Sequence, residues 1–237
     1  MQAGGRTLIR RWPDTDDEYR RLAAPRDDVV LEERRSDTES AMRYTQADGP
    51  FTHYEREVRR QTDTGELVET TRYALEIPWF GWVFRSPVRG VLARRLSHDS
   101  WWAPPDRLDA TQVLVIGLLA AASMSAAFVN TLFTQTVNFA ADDFGVSDTG
   151  IGVSGAVVRA GILIALPAAL LADRVGRRKV IIAVAWLGPI LSLLGALAPS
   201  FSALVVTQTI ARPMGIALAF LIGVVASEEM PRSSRAY

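Results

Sequence analysis

Two arginines stand alone in long apolar runs, and their setting poses the first chemical question. Arg159 is the single charge between Ile151 and Ala172, and Arg212 the single charge between Val180 and Ser227. At helical rise, Arg159 lies about 21 Å before Asp173 and Arg212 about 24 Å before Glu228. A charge at such depth in hydrocarbon costs several kcal/mol unless it faces water or a partner. The apolar runs themselves contain no Asp or Glu, so neither guanidinium has an acidic mate there. Two chemistries remain open. The arginines, with Asn130 and Gln135, could line an aqueous cavity and meet an anionic substrate group or a carboxylate from further helices. Alternatively, backbone carbonyls, Asn130, Gln135 or Gln208 could satisfy them as structure.

The elements that would position these residues follow from hydropathy. A helix needs about 20 apolar residues to cross ~30 Å of hydrocarbon. Four runs qualify, at about 112–139, 151–172, 180–198 and 202–226. Core helices of soluble proteins seldom run so long without a polar face. The expected fold is therefore an all-α transmembrane bundle of four helices behind a small α+β domain. Between the second and third runs lies a dense basic turn, Ala172-Asp173-Arg174-Val175-Gly176-Arg177-Arg178-Lys179-Val180.

That turn resembles the loop between helices 2 and 3 of the major facilitator superfamily of transporters. The family pattern is Gly-x-x-x-Asp-Arg/Lys-x-Gly-Arg-Arg/Lys, and this chain departs at its first glycine, where the still small Ala169 stands. Two further stretches resemble the family in the same order. Arg212-Pro213-Met214-Gly215 is similar to the Arg-x-x-Gly signature of helix 4, and Glu228-Glu229-Met230-Pro231-Arg232-Ser233-Ser234-Arg235 to the loop leaving that helix. The resemblance implies secondary transport of a small solute by alternating access, with or without a coupling ion. It assigns a gating loop to Asp173, Arg174, Gly176, Arg177 and Arg178. On charge alone, Arg177 or Arg178 could pair with gating partners Glu228 or Glu229 across the same face. It also implies that this chain supplies four helices of a larger bundle. The chain is therefore expected to be a fragment or truncated product that needs the remaining helices.

Composition separates the chain into two parts. Residues 1–110 hold 18 of the 26 Lys and Arg and 20 of the 26 Asp and Glu, which leaves the remainder strongly apolar. Residues 1–27 read as a charged, Pro-punctuated lead-in and 28–100 as the cytoplasmic α+β domain, followed by a linker (101–110) and the transmembrane domain (111–237). Within 28–100, Val29–Arg35, Ala41–Thr45, Thr52–Gln61 and Leu67–Ile77 have strand character, and Thr62-Asp63-Thr64-Gly65 reads as a hairpin turn. Trp79 to Leu96 mixes aromatics with arginines. It reads either as a helix packed onto the sheet or as a basic amphipathic segment on anionic lipid. Strands followed by such a helix faintly resemble the end of a START-like polyketide-cyclase domain, which implies a lipid-like ligand.

Trp101-Trp102 followed by Pro104-Pro105 suits a headgroup boundary. Arg94, Arg95 and Arg107 precede the first run, the basic turn follows the second, and Arg232 and Arg235 follow the fourth. The opposite loops carry no base. Both termini are thus expected in the cytoplasm of a multi-pass inner-membrane protein. Enzyme chemistry is not indicated. Cysteine is absent, His53 and His98 are isolated, and no phosphate-cradling glycine loop occurs. No cofactor is expected. Acids balance the arginines of residues 1–110, so nucleic acid is not an expected partner; the bilayer and a small solute are. The rival reading is a membrane-anchored module that holds a lipid or partner without transport.

Overall fold

A computed structural model describes residues 5–38, 41–94 and 106–234 of the 237. The chain divides into two compact units, residues 1–118 with 229–237 and residues 119–228.

The first unit is built on a five-stranded antiparallel sheet. Its strands are β1 (Arg6–Pro13), β2 (Leu31–Thr38), β3 (Ala41–Asp48), β4 (Phe51–Gln61) and β5 (Glu66–Leu75), in the order β1-β5-β4-β3-β2. Strands β2 to β5 form the expected meander, with Gly65 at φ 64° in the β4–β5 turn. Residues 1–27 are more than a lead-in: β1 pairs along β5, and helix α1 (Asp16–Ala23) follows it, capped by the Thr15 hydroxyl accepting from the Glu18 N–H.

Strand alternation places Tyr54, Arg56 and Val58 of β4 and Leu67, Glu69, Thr71 and Tyr73 of β5 on one buried face. Apolar clusters fill both ends of that face. Leu22 of α1 packs with Met42, Tyr44, Val58 and Leu67 at one end. At the other, Val88 and Leu92 of helix α2 (Arg85–Arg94) pack with Leu8, Val30, Phe51, Tyr54 and Tyr73. The stretch from Trp79 thus resolves into a turn and a short helix packed onto the sheet.

An ionic network lies between the two clusters. Arg56, with no exposed surface, grips Glu32 through Nε at 2.7 Å and Nη2 at 2.6 Å, and its Nη1 lies 3.5 Å from Glu69. Arg56 also donates to the carbonyls of Leu22 and Ala24. Arg26 pairs with Asp28 and donates to the Val91 and Leu92 carbonyls at the end of α2. Burial pushes the Glu32 carboxyl up, but hydrogen bonds from Arg56, Tyr54 and the Arg26 N–H bring it below its ordinary value.

Among the described residues, four helices, or helical rods, are long and apolar enough to cross a membrane. They are α3 (Ala110–Asp143), the rod of α4 (Asp148–Ala160) and α5 (Ala165–Val175), α6 (Arg177–Ala196) and α7 (Phe201–Glu229). At 1.5 Å per residue the shortest, α6, spans about 30 Å. A 3-10 turn, Gly161–Ile164, interrupts the second rod. Its cause is Pro167, which has no N–H for the Leu163 carbonyl and crowds it.

Candidate functional site

In the second unit, α3, α5, α6 and α7 share an apolar core of Ala126, Ala172, Val180, Val184, Leu218 and Leu221. A smaller cluster joins Phe133, Val137 and Val158. Small residues set the helix spacing. An added Cβ at Gly215 would lie 3.1 Å from Asn130 Oδ1, so the glycine of Arg212-Pro213-Met214-Gly215 seats α7 against α3. Pro213, buried in α7, leaves the Thr209 carbonyl without its helical donor. Gly161 approaches that carbonyl so closely that a Cβ there would stand 2.5 Å from it.

The basic turn joins α5 to α6. Gly176 donates its N–H to the Ala172 carbonyl at 3.0 Å, which closes α5, and takes φ 104°. That backbone is strained for any residue with a Cβ. The turn swings Arg177 between two acids. Its Nε lies 3.7 Å from Asp173, and its Nη1 pairs with Glu228 at the end of α7. Asp173, Arg174, Arg178 and Glu229 are exposed. Of the pairs the sequence left open, the geometry makes Arg177 with Glu228. Glu229 instead offers its backbone carbonyl to Gln112 Nε2 at the start of α3. The entry to α3 is held further by Arg107, which pairs with Asp27 and donates to the Asp28 carbonyl.

The mid-helix polar residues are only partly gathered. Asn130 and Arg212 are half-buried, whereas Arg159 and Gln135 are exposed. No hydrogen bond or ion pair among the described residues joins either arginine to Asn130, Gln135 or Gln208. The buried oxygens Asn130 Oδ1 and Gln208 Oε1 have no hydrogen-bond partner, so they do not satisfy the arginines as the structural alternative supposed. Ser192 Oγ of α6 is unpartnered too. Sequence reasoning passed over it, although its Gly188-x-x-x-Ser192 spacing marks a small, polar helix face. Unpaired buried polar atoms are costly, about 1–3 kcal/mol each, and suit places where water or a solute enters.

An open cleft of about 310 Å³ in the first unit is lined by Arg6, Tyr73, Trp79, Trp82, Phe84 and Arg85 among others. Trp79 holds φ 65°, a rare conformation for a bulky residue.

Fold and site together define a sheet domain joined to four apolar helices of membrane-crossing length, with an arginine-carboxylate clasp at one helix turn. Comparison with family profiles, curated proteins and solved structures yields no match.

Proposed function

We propose that this chain forms the first four helices of a major-facilitator-type secondary transporter, which moves a small solute by alternating access. The sheet domain and both termini lie on the cytoplasmic side, where the basic turns would be retained. The observation that carries the reading is the Arg177 clasp. It ties the motif-bearing turn, through Asp173, to Glu228 at the end of the fourth helix. A contact of this kind at the cytoplasmic mouth can hold a path closed and release it. The unpartnered oxygens of Asn130, Ser192 and Gln208 supply polar surface along three helices. Arg212 and Arg159 favour an anionic solute, bound with or without a coupling ion. The apolar runs at 112–139, 151–172, 180–198 and 202–226 carry no acid to act as a proton carrier.

The test needs no known substrate. The chain has no cysteine, so Met214→Cys introduces a single thiol on α7, about 21 Å from Glu228. An exposed ion pair is worth roughly 0.2–1 kcal/mol. Arg177→Gln or Asp173→Asn should therefore raise labelling of that thiol by a cytoplasmic, membrane-impermeant maleimide about 1.5- to 5-fold. Unchanged labelling would remove the gating role. A thiol unreactive from both sides would favour the membrane-anchored binding module.

A further inference from the structure

The turn between β5 and α2 is aromatic, exposed and edged with arginine. Trp79 is 82% and Trp82 66% exposed, with Val83 open beside them. Arg85 and Arg89 lie on the solvent side of α2, whose other side is committed to the sheet through Val88, Val91 and Leu92. Arg6 and Arg85 reach the cleft that the two tryptophans line. Exposing two indoles, Trp79 on a strained backbone, costs the sheet domain stability.

The position of the turn along α3 supplies a reason. A Cβ at Gly117 would meet Pro78 Cδ at 2.8 Å and Ile77 Cγ2 at 3.5 Å, so the start of the turn is seated directly on α3. The midpoint of α3 falls between Ala126 and Ala127, which places Gly117 about 14 Å from it. Half the thickness of a hydrocarbon core is about 15 Å. With α3 centred in a bilayer, the turn would meet the helix where acyl chains give way to headgroups, the zone tryptophan prefers.

We propose that residues 78–89 are a membrane-interface anchor that binds anionic phospholipid of the adjoining leaflet. Trp79 and Trp82 enter the top of the acyl region, and Arg6, Arg85 and Arg89 hold the headgroup phosphates. Charge decides the lipid class. Three arginines flank the tryptophans, and the acid nearest in sequence, Glu76, precedes the turn. The inference requires α3 to cross a bilayer and is independent of whether the helices transport a solute.

The experiment uses the full chain in vesicles of phosphatidylcholine containing phosphatidylglycerol. Trp12, Trp101, Trp102 and Trp186 are replaced by Phe, which leaves Trp79 and Trp82 as reporters. One lipid class at a time carries bromine near the top of its acyl chains. Brominated phosphatidylglycerol should quench the reporters at least about twofold more than brominated phosphatidylcholine at equal mole fraction. Arg85→Gln with Arg89→Gln should abolish the difference, and Arg85→Lys with Arg89→Lys should keep most of it. Equal quenching by both lipids, or none, overturns the proposal. So does loss of the difference on adding millimolar inorganic phosphate, which would assign the arginines to a soluble anion. A second variant retaining only Trp186, 68% exposed on α6, reports whether the helices are in the bilayer at all. Quenching there without quenching at Trp79 and Trp82 refutes the anchor alone.

Discussion

Replacing Arg56 by Met should unfold the sheet domain's local structure far more readily than any exposed change. Met retains the apolar stem but removes every donor. Glu32 would lose contacts at 2.7 and 2.6 Å, and Glu69 its cation at 3.5 Å. The carbonyls of Leu22 and Ala24 would lose theirs too, as would the Tyr44 ring, over which the guanidinium lies at 4.1 Å. Tyr54 and the Arg26 N–H would still reach Glu32, but the cation that grips both of its oxygens would be gone. Breaking a buried pair from one side costs about 3–5 kcal/mol, a large part of the 5–15 kcal/mol that holds a typical domain. Hydrogen exchange of the β4 and β5 amides in the full chain should lose about 10²- to 10⁴-fold protection at neutral pH. Adding Glu32→Gln should restore part of it, because one stranded charge is removed. Arg59→Met, at an exposed residue paired with Glu57, should change protection less than about fivefold. A loss below tenfold for Arg56→Met, or no recovery in the double variant, would show that the network contributes little.

Acid should loosen the same domain. Because the folded Glu32 carboxyl lies below its ordinary value, its contribution is present above the unfolded value of about 4.3 and is lost as pH falls through the folded one. Thermal unfolding of the sheet between pH 7 and 3 checks this, and Glu32→Gln should flatten the profile. Gly161→Ala would force the Thr209 carbonyl, 2.5 Å from the new Cβ, to move, at a cost of about 1–3 kcal/mol; its detergent melting temperature should fall while the sheet's exchange stays unchanged. Arg159→Gln should abolish binding of an acidic solute and spare a neutral one. Equal loss for both would argue against anion recognition.

The two halves of the chain were legible to different degrees for physical reasons. Crossing helices need little beyond length and apolarity, so the runs at 112–139 and 202–226 are evident before any packing is known. The observed helices extend past those runs at both ends because polar caps and turns continue helical backbone into the interface. Strand β1 and helix α1 escaped notice because each buries a single side chain in the core, Leu8 and Leu22, amid charged neighbours. The ionic core was visible only in part. Tyr54, Arg56 and Val58 share strand parity, which places Arg56 inward, but nothing local names Glu32 and Glu69 as its mates. The turn from Asp173 to Arg178 was recognisable as a unit. The choice of Arg177 and Glu228 as the pair depends on where Gly176 redirects the chain. Unpartnered oxygens such as that of Ser192 depend on the neighbouring helices and leave little trace in sequence.

The proposed topology takes four helices across a bilayer and keeps Thr62 and Arg178 on its cytoplasmic side. Single cysteines at Ser147, Ser200, Thr62 and Arg178, each in the naturally cysteine-free chain, test it in sealed cells with an impermeant maleimide. Labelling at Ser147 and Ser200 from outside, and at Thr62 and Arg178 only after permeabilisation, is the predicted result. Labelling of the Ser147 and Arg178 thiols from the same side would contradict it.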